Sequence, residues 1–169
     1  MKDFALYKPA SYKQKDNPNI FAGAAFSWKL WRTEKGLVIM MEGVRQKSYD
    51  PDKRLGSFYN GKDNPDECFR VKFNEIEVGG LIRAIRVYDN FKAYHSFDTD
   101  KTSIDFVTYE KKPKGNEPPG KAFSLTVKRN GVPMGIGIEL AEAEALRVFL
   151  ETALAEVFYA GGQNFNKGE

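Results

Sequence analysis

Cysteine and histidine are nearly missing from this chain of 169 residues, which has one of each, Cys68 and His95. A single thiol excludes an intramolecular disulfide, and one Cys with one His leaves too few soft ligands for an ordinary zinc site. No apolar run approaches the roughly 20 residues that a bilayer-spanning helix needs. The amino terminus, Met1-Lys2-Asp3-Phe4, is charged where a signal peptide would be apolar. The expectation is a soluble intracellular protein, cytoplasmic or nucleoid-associated, with no membrane partner. Catalytic signatures are missing too: no Ser-His-Asp set, no P-loop, and no nucleotide fingerprint between a strand and a helix. Asp50, Asp52, Asp63, Asp66 and Glu67 crowd together, but their spacing matches no cation-binding loop and reads as a solvated acidic segment. No enzyme, no cofactor and no metal are therefore expected.

What is present is a generous supply of core and aromatic residues, 41% hydrophobic and 14% aromatic, in a length that suits one compact domain. The net charge of +3 is ordinary in itself, but it is unevenly spread. Residues 139–169 carry six acids against two bases, while residues 1–138 carry 24 bases against 17 acids. A polyanion would be drawn to the strand-rich region and away from the acidic carboxy-terminal helix.

The chain also repeats itself. Asp3-Phe4-Ala5-Leu6-Tyr7 is echoed by Asp105-Phe106-Val107-Thr108-Tyr109, and the segment 23–30 by 120–127. Phe69, Val71 and Phe73 leading into Leu81 and Ile85 are echoed by Met134, Ile136 and Ile138 leading into Leu146 and Leu150. Segments 25–32, 37–46, 69–73, 104–111, 122–129 and 134–138 are rich in β-branched and aromatic residues and read as strands. Asn74 with Glu77 predicts the start of a first helix, weakened by Gly79 and Gly80. Leu146, Phe149, Leu150, Ala153, Leu154, Val157 and Phe158 mark one face of a second, which Gly161-Gly162 is expected to end. Stretches 9–20, 48–66 and 112–120 read as loops, and the middle one is long enough to be either mobile or a ligand flap. The fold class is α+β: two ββββα repeats, 1–90 and 91–160, forming two antiparallel sheets packed with two helices in a single domain, then a flexible tail over 161–169.

This arrangement resembles the Whirly proteins, and each half is similar to the single ββββα unit of the transcription coactivator PC4 and of the PUR repeat. The residues that carry the resemblance are Gly43-Val44-Arg45-Gln46, Tyr94-His95-Ser96-Phe97, and the run from Lys121 to Val127 continuing through Ile136-Gly137-Ile138 into the last helix. The basic Lys-Gly-Lys-Ala-Ala-Leu run of plant members is absent, and with Met1 beside the first strand no transit peptide is expected. The resemblance implies sheets splayed like blades, a homo-oligomer assembled through the helices, most simply a tetramer, and single-stranded DNA laid across the sheets.

Alternation along each strand separates a core row from an open row. Phe26, Trp28 and Leu30 match Phe123, Leu125 and Val127 and should face the helices. The opposite row holds Lys29 and Trp31 in one copy and Lys128 in the other, while Arg70 and Lys72 oppose Gly135 and Gly137. Single strands are held by cations along the phosphates and by rings that stack on unpaired bases. The candidate rings are Tyr7, Trp31, Phe97 and Tyr109, with His95 as a capping residue or a contact. The candidate cations are Lys29, Arg32, Arg45, Lys47, Arg70, Lys72, Lys111 and Lys128. Tyr7 and Tyr109 equally suit the closing of a core edge, and the cations a solvated sheet face. RNA is an alternative ligand. A protein-interaction module is an alternative role, but it leaves Trp31 and the basic row unexplained.

Overall fold

The computed structural model describes the chain except residues 63, 113–114, 116–118 and 166–169, and describes the backbone alone at Pro65, Phe97 and 161–165. Nine strands and two helices follow in the order β1 (Phe4–Lys8), β2 (Ala24–Thr33), β3 (Gly36–Asp50), β4 (Leu55–Phe58), β5 (Cys68–Phe73), α1 (Glu75–Val87), β6 (Phe91–Phe97), β7 (Asp100–Glu110), β8 (Lys121–Arg129), β9 (Val132–Glu139) and α2 (Leu140–Phe165). All pairing is antiparallel. The first sheet runs β1-β2-β3, with β5 on the main part of β3 and β4 on its end; the second runs β6-β7-β8-β9. The expected α+β class with two sheets and two helices is what is observed.

The predicted core rows are buried. Phe26, Trp28, Phe69, Val71 and Phe73 of the first sheet join Ile104, Phe106, Phe123, Leu125 and Val127 of the second in one cluster, which both helices complete. Rings make much of it: Phe106 stacks on Phe123 at 4.6 Å, and Phe4 bridges Trp28 at 5.8 Å and Phe149 of α2 at 6.2 Å. Trp28 has no solvent exposure, and its Nε1 finds no hydrogen-bond partner among the described residues, a desolvation cost set against its packing. The start of α1 is as expected: Asn74 caps the Glu77 amide at 2.8 Å, and the Glu77 carboxylate returns to accept from the Asn74 amide at 3.0 Å. Gly80, which weakens this helix in isolation, has a packing reason. A Cβ there would lie 2.9 Å from the Phe91 ring, so the small residue lets β6 approach.

Four expectations change. The repeat is real in the order of elements, and the match of β5 and α1 to β9 and α2 is in step, but the other two matches are one strand out: by position in the sheets β2 and β3 correspond to β7 and β8, not β2 to β8. The slip arises because pattern follows pairing. Phe4 opposes Trp28 and Leu6 opposes Phe26, as Phe106 opposes Leu125 and Thr108 opposes Phe123, so two ladders with the same register look alike wherever they fall in the chain. The 48–66 segment is not all loop, since β3 runs to Asp50 and turns into β4. In that turn Asp50 Oδ1 accepts from the amides of Asp52 and Lys53, both at 3.0 Å, which uses one acid of the acidic cluster locally. Asp63 lies outside the described residues, and among those described no three His, Cys, Asp or Glu side chains are grouped as a metal site would require. Residues 91–97, expected only to open the second repeat, form strand β6 along their whole length.

Finally, α2 does not stop at Gly161-Gly162 but continues to Phe165. Glycine costs a helix about 1 kcal/mol relative to alanine without forbidding it, and here both glycines lie within the helix. Of the expected tail, 166–169 and the Phe165 side chain lie outside the described residues. Among the described residues no helix is long and apolar enough to cross a membrane.

Arg45 belongs to this framework. It is 5% exposed, donates from Nη2 to the Pro133 carbonyl at 2.9 Å, and pairs through Nε with Glu67 at 3.0 Å, tying the first sheet to the second. Two outcomes follow. Trp28→Ala should lose roughly 3 to 5 kcal/mol of stability in denaturant unfolding, the cost of an aromatic cavity. Arg45→Ala should lose about 3 kcal/mol, because Glu67 and the Pro133 carbonyl lose a charged donor, and should leave oligonucleotide affinity per folded molecule unchanged.

Candidate nucleic-acid interface

The open face of the first sheet is built by the residues that alternate with the core row. Its floor is small along β2, with Ala25 and Ser27, and rises to Tyr7 on β1 at one end and to Trp31 at the other. Trp31 is 42% exposed and Tyr7 64%. Two adjoining hollows share Glu42, Val44, Asn60 and Gly61. The larger, about 540 Å³, takes in Lys29, Trp31, Arg32 and Arg70, and the smaller, about 230 Å³, takes in Tyr7, Ser27 and Tyr59. Together they form one groove across the sheet.

Its side wall is the segment after β4, part of the stretch whose role the sequence left open. The Tyr59 amide donates to the Arg45 carbonyl at 2.9 Å, and Gly61 lies against Cys68, whose Sγ is 3.6 Å from the Gly61 carbonyl. Phe58 packs edge-on to Tyr7 at 5.5 Å, which fixes the ring at that end of the groove.

In the floor lies a residue that a search for basic side chains passes over. The Glu42 carboxylate receives Lys29 on Oε2 and Arg70 Nε on Oε1, the latter at 2.5 Å. Its side chain is 15% exposed. Burial alone would raise its pKa, but hydrogen bonds and charge attraction from Lys29 and Arg70 outweigh that and hold it below the ordinary carboxylate value. The Arg70 guanidinium also stands 5.5 Å from the Trp31 ring centroid, so one connected row runs from Lys29 through Glu42 and Arg70 to Trp31. Lys29 and Arg70 are thus on the expected face but are not free cations. Glu42 was legible in principle, since it alternates with Met41 and Gly43 on the strand beside Lys29.

The remaining candidates divide. Lys72 shares the open face with Arg70, and both border a shallow hollow with His95, Asp100, Thr102 and Arg129 of the second sheet. Arg32 continues the core row beyond the end of the core and is exposed at the groove rim, and Lys47 is exposed at the bulge between Gln46 and Ser48. Neither makes an ion pair among the described residues. Arg45 is removed from the contact set by its burial.

The Gly43-Val44-Arg45-Gln46 run that carries part of the resemblance is accordingly structural. A Cβ on Gly43 would lie 2.1 Å from the Phe69 ring, and buried Gln46 clamps Ala10, accepting from its amide at 2.7 Å and donating to its carbonyl at 2.9 Å.

On the second sheet, Lys128 is exposed on the open row, while Lys111 is paired with Glu139, whose hydrogen bond raises the lysine pKa. The Tyr109 hydroxyl reaches to 3.1 Å from where a Gly137 Cβ would stand, so that glycine is roofed by the ring and not bare to a base. His95 sits inward, its Nε2 2.9 Å from Glu77 and its ring 6.4 Å from that of Phe73, a structural place beside the α1 cap. Phe97 closes β6 opposite Asp100, and its side chain lies outside the described residues. The ring on this face that the candidates omitted is Tyr94, 62% exposed, whose alternation with Ala93 and His95 could have found it.

No family model matches the chain, and no curated protein matches it. Among solved structures, the crystal structure of WHY1 from Arabidopsis thaliana aligns with a TM-score of 0.51 and 15% identity, over 97% of this chain and 90% of that one. At that identity the likeness shows the fold alone: two antiparallel sheets and two helices in a Whirly-like arrangement.

Proposed function

We propose that this protein binds single-stranded DNA without catalysis, largely independently of sequence, on the open faces of its two sheets. The observation that carries the reading is the groove across the first sheet, with exposed Trp31 at one end, Tyr7 at the other, and Arg32 and the Arg70 guanidinium beside it, Lys72 following Arg70 on the same open row. Stacking posts next to cations are what an unpaired, polyanionic strand needs, whereas a duplex hides its base faces. Lys47, Lys128, Tyr94 and Tyr109 extend the same chemistry beyond the groove. RNA offers the same rings and phosphates, and a competition titration between the two polymers separates them.

The protein also assembles, in this reading, into a homo-oligomer, most simply a tetramer. The apolar stripe of α2 is covered from Leu146 to Ala153, half-covered at Leu154 and Val157, and bare at Phe158, with Tyr159 bare beside it. A second copy of the helix would bury what the single chain leaves out.

Fluorescence anisotropy with single-stranded and duplex oligonucleotides of equal length tests the first statement. Single strands should bind more tightly, with log affinity falling against log salt by about 0.7 per phosphate neutralised. Trp31→Ala should leave the melting temperature within a degree or two and weaken binding by roughly 1 to 3 kcal/mol, the worth of one base stack. Equal affinity for duplex, or no response to salt, overturns the reading. Light scattering at micromolar concentration tests assembly: a mass of several chains is expected, reduced by Phe158→Glu, and a clean monomer refutes it.

A further inference from the structure

We infer that the groove on the first sheet contains one base pocket that prefers guanine, formed by Trp31, Glu42, Lys29 and Arg70. This rests on the proposed single-strand binding and adds to it a preference at one position. The starting point is that a carboxylate is out of place on a surface meant for phosphates. Glu42 lies in the floor, with Lys29 and Arg70 both turned onto it. A phosphate set down there would meet a negative charge whose two cations are already engaged. The carboxylate therefore weakens the hold of the floor on phosphate and is suited to a hydrogen-bond donor, while unpaired Arg32 and Lys72 remain available to the backbone of the strand.

A carboxylate has about four lone-pair sites, and each oxygen of Glu42 has accepted one donor, so each retains acceptor capacity. A base stacked on Trp31 can turn its Watson–Crick edge toward that floor, because Ala25 and Ser27 leave room along β2. Guanine alone places two adjacent donors there, N1–H and the 2-amino group, which can fork onto one carboxylate, with O6 beside them to accept from a lysine or guanidinium. Adenine and cytosine each offer one donor flanked by a ring-nitrogen acceptor, and thymine one donor between two carbonyls, so each would set an acceptor against Glu42. Asn60 and Gly61 limit sideways movement of the base. The open face of the second sheet also carries a carboxylate, Asp105, paired with Lys92 at 3.4 Å, but no arginine joins that pair among the described residues and β8 beside it presents Thr126, so the floor of Lys29, Glu42 and Arg70 is particular to the first sheet.

The test uses the full chain and labelled thymidine oligonucleotides of about 12 nucleotides, within the usual site size, carrying one central guanine, inosine, adenine or cytosine. Guanine should bind roughly ten-fold more tightly than all-thymidine, the lower end for one good bidentate base contact. Inosine, which lacks the 2-amino group but keeps N1–H and O6, should fall between. Glu42→Gln should abolish the guanine advantage, read as the ratio of guanine to all-thymidine affinity within that variant, and its melting temperature reports folding separately. Equal affinity for guanine and thymine in the natural chain overturns the inference, as does a guanine advantage that survives Glu42→Gln. If that variant does not fold, the natural chain decides the matter, since inosine binding as tightly as guanine removes the forked contact. Failure of every oligonucleotide to bind overturns single-strand binding itself and this pocket with it.

Discussion

Burial of one row of side chains per strand is the constraint on which the rest of the molecule depends. The rings of Phe4, Phe26, Trp28, Phe106 and Phe123, with Phe149 from α2, fill the space between sheets and helices. A strand that commits alternate residues to such a core has its other residues fixed in direction as firmly as the core itself. Trp28 and Trp31 show what this means: three positions apart on β2, one is fully buried and the other stands in a groove. The open face is held in place by packing on the opposite side of the same backbone, and nothing on that face need be spent on stability.

The charges act more locally than their sums suggest. The acidic carboxy-terminal segment, which composition sets against a basic strand region, uses its carboxylates on bases from elsewhere, Glu142 on Lys8, Glu139 on Lys111 and Glu151 on Arg86, the last also holding Arg147 of its own helix. Each pair is worth little to stability where water reaches it, but each removes a cation from the count that a polyanion would feel. Among the candidate cations, those that remain exposed and without an ion pair among the described residues are Arg32, Lys47, Lys72 and Lys128. A field assembled from four such positions depends on where they sit relative to the rings, because beyond about one Debye length salt hides them.

Periodicity made much of this legible. The inward rows of β2, β5, β8 and β9 and the Asn74–Glu77 cap of α1 follow from alternation and capping chemistry, which act within a few residues. What was not legible depended on partners far along the chain. Arg45 reads as a surface cation until Pro133 and Glu67 are brought to it, although its even spacing from Met41 and Gly43 places it on their inward row. The one-strand slip of the internal match has the same origin, since a ladder carries its register but not its place in the sheet. The run-on of α2 past two glycines is a third case: a glycine pair permits a helix to end without compelling it.

Glu42 joins the packing of the sheet to the charges on its open face. Without it Lys29 would meet Lys72 directly across β3 and Arg70 diagonally as like charges, and these side chains would splay toward solvent with the loss of order that long side chains readily incur. With it they are drawn down onto the sheet, and Arg70 is brought over the ring of Trp31. The cost is attraction for phosphate at the centre of the groove. The gain is a separation of tasks across its width, with polar groups of both signs in the floor and unpaired cations at the margins. A strand entering such a groove has one favourable orientation, bases inward and phosphates outward. That orientation follows from a single carboxylate, where rings and cations alone would allow either.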